Sequence, residues 1–266
     1  MGDNLRLSKI FWSITAVVAF LSALPGVVDR TIYTNLFPSE FLPGAFPQDV
    51  LTLLVCGVLF VLIATTHAGD VKKQVVIVGL IGSFFYLYGI FTIERVYNSY
   101  YLLYAATFAS SFWSLIYSLA GFRADDYAGL ELAAGMRRTT AISSIVIAVL
   151  FTALWTAALI PLMREHDRIE FLYSIYILDL CFVMPAFVMT AIMALRRQPF
   201  GILMAPAMMI MGFFVIFPLG LNELAKPSAG MTMAMGPMIV SFVFAAFMLA
   251  LAVSQLRMIR PAGSMR

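Results

Sequence analysis

Long apolar runs separated by short polar breaks dominate the chain. A helix needs roughly 20 mostly apolar residues to cross a hydrocarbon core of about 30 Å, and only helices and closed barrels satisfy their backbone groups in lipid. Eight stretches qualify: Ile10–Val28, Asp49–Ala68, Gln74–Ile93, Tyr100–Gly121, Ala141–Met163, Phe171–Leu195, Ile202–Leu221 and Met231–Leu256. Barrel strands would alternate apolar and polar residues over about ten positions, whereas these runs are apolar all round. The predicted fold class is all-α, a polytopic transmembrane helical bundle forming one integral membrane domain over residues 1–266.

Charge orients the bundle. Counted on alternate sides, Arg6, Lys9, Lys72, Lys73, Arg123, Arg137, Arg138, Arg196, Arg197, Arg257, Arg260 and Arg266 fall together, and Arg30, Arg95, Arg164, Arg168 and Lys226 fall on the other side. Twelve against five predicts both termini in the cytoplasm, because positive loops stay inside. Most acids lean outward. Arg6 and Lys9 before an apolar run resemble a secretory signal, but the run reaches Val28 and is long enough to span, so an uncleaved first span is expected. Two loops exceed turns. The outer one, 29–48, is rich in Phe and Pro, too broken for a regular helix and too apolar to float free, so it is expected to fold over the outer mouth. The inner one, 125–138, opens with acids and closes with Arg137 and Arg138, the charge order of a short interfacial helix.

Sliding the chain by 130 residues pairs Asp49 with Asp179, Gly82 with Gly212, Phe84 with Phe214 and Ser111 with Ser241, and brings Glu94 within one residue of Glu223. The identities alone are few, but an intramembrane aspartate is rare. A parallel four-plus-four duplication, with repeats 1–123 and 139–256, would place the halves about an axis along the membrane normal.

Composition narrows the class further. At 62% apolar and 12% charged residues, against about 45–50% and 25% in soluble domains, a soluble fold is excluded. A net charge of +3 in so apolar a chain gives no sign of a nucleic-acid partner. Cys56 and Cys181 stand alone, without C-x-x-C, and read as packing residues. His67 and His166 fall on opposite sides of the membrane, and no H-E-x-x-H, P-loop or G-x-S-x-G occurs, so no metal and no cofactor is expected. Met231, Met233, Met235 and Met238 read as flexible apolar filler rather than a copper site.

Asp179 carries the strongest chemical signal. It lies inside the sixth span, where a charged carboxylate costs about 2.5–3.5 kcal/mol on insertion scales, so it must face protein or water. Tyr176 and Tyr173 share its helix face as candidate donors, and Pro185 is placed to kink the helix below it. Asp49, Glu94 and Glu223 fall at outer helix ends and, with Tyr97 and Asn98, would ring an outward vestibule able to bind a cation or share a proton. The alternative is solvated or capping residues, Asp49 at a helix start above all. Tyr104, Thr107, Ser111, Ser114 and Ser118 form a stripe on the fourth span. Such a stripe marks either a close helix seam or the polar lining of a pathway.

Val96-Tyr97-Asn98-Ser99-Tyr100 through Ile116, Tyr173 through Pro206 with Leu178-Asp179-Leu180 and Arg196-Arg197-Gln198-Pro199-Phe200-Gly201, and the Gln48-Asp49 pair resemble a group of uncharacterised bacterial polytopic inner-membrane proteins. That resemblance implies an inner-membrane location and draws attention to Asp49, Tyr97, Asn98 and Asp179; it implies no activity. Three functions are therefore expected to compete. The first is transport or ligand binding of a cation, proton or small ligand at an outward carboxylate–tyrosine site, among membrane lipids. The second is an enzyme on a lipid or lipid-linked substrate, which needs two carboxylates roughly 5–10 Å apart. The third is a non-catalytic partner subunit; the sequence sets no oligomeric state.

Overall fold

The structure, a computed structural model, describes residues 2–121, 127 and 130–261. Among the described residues, eight helices are long and apolar enough to cross a membrane, and the chain is a multi-pass helical bundle. The spans, numbered in chain order, are Gly2–Val28, Leu42–Thr65, Val71–Ile93, Tyr101–Ala120, Ala134–Glu165, Tyr173–Leu195, Pro199–Ala225 and Met235–Met258. Because the spans alternate, one end of the bundle carries the 29–41 segment and is called the aromatic end. The other carries Lys72, Lys73, Arg196 and Arg197 and is called the basic end.

The third and seventh spans form the centre, with 72% and 56% of their apolar windows buried, against 11% for the fifth. They run parallel and touch backbone to side chain at Gly79, where an added Cβ would lie 2.8 Å from the Ala207 carbonyl and from Ile210 Cβ. Around this pair the second packs on the first, the fourth on the first and third, the sixth on the fifth and seventh, and the eighth on the seventh. The second also packs against the seventh, closing the first half on the second.

The hydroxyl stripe of the fourth span faces the first span. Trp12 Nε1 donates to Ser118 Oγ at 2.9 Å, and hydroxyl pairs join Thr15 to Ser114 and Ser22 to Thr107, each at 2.8 Å. Thr107, Ser111 and Ser114 are fully buried there, and Ser111 bonds back to the Thr107 carbonyl. Small hydroxyl residues let two helices approach closely and bond across the gap.

Three boundaries differ from the sequence expectation. The second span starts at Leu42, so much of the 29–48 loop is helix. Pro43 sits in the first turn, where no amide bond is missed, while Pro47 leaves one carbonyl unbonded a turn later. Asp49 is therefore a residue inside the span, not its cap. The remaining loop holds a 3₁₀ turn, Arg30–Tyr33, capped by Asp29, whose carboxyl the Thr31 hydroxyl and amide hold below the usual carboxylate range. At the basic end, the interfacial helix expected over 125–138 falls partly outside the described residues. Where described, Leu130–Glu131 (β1) pairs antiparallel with Arg260–Pro261 (β2), and Arg137 and Arg138 belong to the fifth span, which begins at Ala134. The strand pair is set by a contact far along the chain, which no local pattern announces.

The central contact gives a direct test. Gly79→Leu forces a side chain into the Ala207 carbonyl and Ile210, an overpacking that should cost about 1–3 kcal/mol. Gly57→Leu, at a position open on all sides within 4 Å, should change little. Unfolding in mixed micelles as denaturing detergent is titrated in compares the two.

Candidate functional site

The sixth span is irregular where Asp179 lies. Pro185 supplies no amide to the helix below it, and the chain accommodates this with a five-residue π-turn, Asp179–Val183, in which the Met184 amide bonds the Asp179 carbonyl. Such turns insert a residue into the helix and recur at functional sites. The Asp179 side chain is 5% exposed. Trp155 Nε1, from the fifth span, donates to its Oδ2 at 2.7 Å, and the Tyr86 hydroxyl, from the third, lies against the same carboxyl. Its partners thus come from two other spans and not from Tyr173 and Tyr176 on its own helix. Tyr176 packs edge-on against the Trp155 ring at 5.4 Å, and the Tyr173 hydroxyl donates to the Ile93 carbonyl.

Asp49 forms a separate buried centre. It is 2% exposed and accepts from the Tyr33 hydroxyl at 2.9 Å. Burial, and after it the Asp49 carboxylate, hold the Tyr33 hydroxyl well above the usual tyrosine range, so it remains a donor. Tyr104 lies beside Tyr33 and accepts from Asn98 Nδ2 at 3.0 Å. Asn98 and Asp49 are thereby joined through two tyrosines, tying the 29–41 segment to the second and fourth spans. The first span closes this centre with Gly26, because a Cβ there would overlap the Asp49 carboxylate and crowd the Tyr33 ring.

The other expected carboxylates take partners of their own. Glu94, 7% exposed at the end of the third span, accepts from the Ser174 amide at 2.7 Å through Oε1 and so holds the first turn of the sixth span. Its Oε2 and the Ser174 hydroxyl are buried without a hydrogen-bond partner. Glu223 pairs with Lys226 and accepts from the Ala234 amide at 3.0 Å. Tyr97 is exposed and packs edge-on against Tyr101. Each of the four carboxylates is therefore held by a different element, and the hydrogen bonds do not join them into one ring.

A partly open cavity of about 150 Å³ lies between the second, third and seventh spans at the aromatic end. Phe41 and Phe171 meet over it with ring centroids 5.8 Å apart, and Phe37 packs on Phe171 at 5.7 Å. Ser83 and Tyr86 form its inner wall with Phe214. Asn222, also in the wall, donates its amide nitrogen to the Glu40 carbonyl at 3.0 Å, and its Oδ1 is buried without a partner. Tyr86 thus belongs both to this wall and to the surroundings of Asp179. Among the described residues, no group of three or more His, Cys, Asp and Glu side chains is placed to hold a metal ion.

Sequence reasoning does not single out Tyr86, Trp155, Tyr33 or the Phe41–Phe171 pair. A signal for the last exists: Phe41 and Phe171 each stand eight residues before a buried aspartate, with Leu42 and Leu172 next to them, at the same offset of 130 residues.

No family model, no curated protein and no solved structure matches the chain.

The Asp49 centre is testable by a double-mutant cycle. Tyr33→Phe removes the donor from a buried carboxyl and should cost about 1–3 kcal/mol of stability. In an Asp49→Leu background the same change should cost clearly less, because no carboxyl remains to be served. Equal costs in both backgrounds, measured by detergent unfolding, would show that the pair is not coupled.

Proposed function

We propose that the chain is an integral membrane transport or ligand-binding protein whose site opens outward and is centred on Asp179. In this reading it resides in the plasma (inner) membrane with both termini cytoplasmic, as the twelve-to-five distribution of Lys and Arg favours. The observation that carries the proposal is Tyr86, one side chain that lines a cavity at the aromatic end and contacts an intramembrane carboxyl. An ionisable residue at that depth is costly, and the π-turn around it is a second departure from regular helix at one place. A cation or proton taken up at Asp179 would be sensed through Tyr86 at the cavity wall, and a ligand in the cavity would be sensed by the carboxyl.

A parallel duplication supports the same reading. Moving Leu42–Thr65 and Val71–Ile93 forward by 130 residues gives 172–195 and 201–223, against helices at Tyr173–Leu195 and Pro199–Ala225. Part of the packing corresponds as well, first on second and fifth on sixth, third on fourth and seventh on eighth, with third against seventh between them, although the first–fourth seam has only a slight counterpart between fifth and eighth. Paired repeats with a site near their junction are a common plan in transporters. The enzyme reading has less behind it, since Asp49, Glu94, Asp179 and Glu223 are engaged by separate partners.

Thermal unfolding of the protein in nanodiscs, across pH and with Na⁺, K⁺, Ca²⁺, Mg²⁺ and lipids, tests the proposal. Wild type should show a rise in midpoint with protons or with at least one of these additives; a ligand at 100 times its Kd stabilises by about 2.7 kcal/mol. Asp179→Asn should abolish that response, and Tyr86→Phe should weaken it. No response in wild type, or the same response in Asp179→Asn, overturns the proposal.

A further inference from the structure

We infer that the cavity at the aromatic end takes an uncharged, apolar group about the size of a benzene ring, admitted between Phe41 and Phe171. This inference rests on the ligand-binding reading of the same site and adds the chemistry of the ligand. Size comes first. An enclosed apolar cavity of about 150 Å³ holds benzene, and this pocket, though partly open, offers that volume within mostly apolar walls.

Chemistry follows from the wall. None of the side chains lining the cavity is charged, and its faces are Phe37, Phe41, Phe91, Phe171 and Phe214 with aliphatic neighbours. Most polar groups among them are engaged, Gln48 through its amide nitrogen on Thr52, and Asn222 Oδ1 is left as a buried acceptor. The Ser83 hydroxyl donates to the Leu80 carbonyl at 2.6 Å, the Tyr86 hydroxyl lies against Asp179, and the Asn222 amide nitrogen bonds the Glu40 carbonyl. An ion entering would shed its water without meeting a counter-charge, which is costly. An aromatic guest would meet ring edges and faces in the offset and T-shaped geometries that rings prefer.

The entrance is built from both halves of the chain. Phe41 leads into the second span, and Phe171 leads into the sixth. Beside Phe171, Leu172 has a left-handed backbone at φ 64°, a conformation costing roughly 1–2 kcal/mol for a residue with a Cβ. Strain of this kind persists only where surrounding contacts hold it, and it gathers at ligand clamps. The holding contact is the Ser174 amide on Glu94 Oε1, two residues along. Phe171 is thus carried on a strained, clasped segment over the cavity, while Phe41 stands at a helix start.

Cysteine accessibility tests this without using Asp179. In a Cys56→Ala, Cys181→Ala background in nanodiscs, Ser83→Cys is exposed to benzyl, 2-(trimethylammonio)ethyl and 2-sulfonatoethyl methanethiosulfonate, and labelling is followed by intact mass. Gln48→Cys, in the same wall, serves as a second reporter should Ser83→Cys fail to fold. Gly57→Cys, which nothing crowds, corrects for partition of the benzyl reagent into lipid. The benzyl reagent should label the cavity cysteine at least tenfold faster than either charged reagent after that correction. Phe171→Ala should raise the benzyl rate several-fold, and Ala45→Phe, which fills the cavity, should suppress it; neither should alter labelling at Gly57→Cys. Faster labelling by the cationic reagent, which would make the cavity an aromatic cage for quaternary ammonium groups, overturns the inference. So does absence of benzyl labelling at both reporters, or indifference to Phe171→Ala. Benzyl labelling that persists in Asp179→Asn, alongside a wild type with no ion or proton response, would leave the cavity inference standing while the Asp179 proposal falls.

Discussion

The close approach of the third and seventh spans is the contact on which the rest of the bundle depends. In lipid no hydrophobic force draws helices together, so association rests on tight packing and on hydrogen bonds between spans. Gly79 supplies the packing, bringing the third-span backbone against the Ala207 carbonyl and Ile210. Higher along the same parallel pair the small residues give way to Tyr86, Leu87 and Ile90 on one side and Phe214, Val215 and Pro218 on the other, and this is where the cavity opens. Pro218 also removes a helical bond to the Phe214 carbonyl, loosening the seventh span at the cavity itself. The cavity thus opens toward the aromatic end of a pair held in close contact at Gly79.

The two buried aspartates, 130 residues apart in the chain, have unlike surroundings. Asp49 is enclosed by Tyr33, the close backbone of Gly26 and a tyrosine–asparagine chain that binds a loop to two spans. That arrangement immobilises. Asp179 has one short bond from an indole, a tyrosine shared with a cavity wall and a helix that departs from α geometry at its own position. This contrast is why the proposed function centres on Asp179.

Much of the architecture was legible in the residues, and what was not has identifiable causes. Eight spans follow from run length, since an apolar helix of about 20 residues has no other use for that composition. The depth of Asp179 follows from its position in such a run. The start of the second span was not visible, because Pro43 and Pro47 look like helix breakers, although Pro43 falls in a first turn that misses no bond at proline and Pro47 forfeits only one. The fourth-span stripe was readable as a face, and its partner was present as Trp12, Thr15 and Ser22 at helical spacing, but only the fold shows that the two ladders meet. Trp155 and Tyr86 were hidden because an aromatic residue inside an apolar span carries no mark of the carboxyl it will face.

The π-turn explains how those two residues reach one carboxyl. An α-helix advances about 100° per residue, so one inserted residue turns everything beyond it by about that angle. Before the turn, the sixth span presents Ser174 and Leu178 to the third span, where Ser174 meets Glu94 and Leu178 lies near Gly89. After it, Met184, Pro185 and Val188 line a broad groove with Thr152 and Thr156 of the fifth span. Asp179 stands where one face gives way to the other, and so it is reached from the third span by Tyr86 and from the fifth by Trp155. In a regular helix a single side chain would share one neighbour with the residues four before and four after it. Pro185, by imposing the irregular turn, is what lets the carboxyl sit between two spans, and an intramembrane carboxyl between two spans is held by bonds that relative movement of those spans would change.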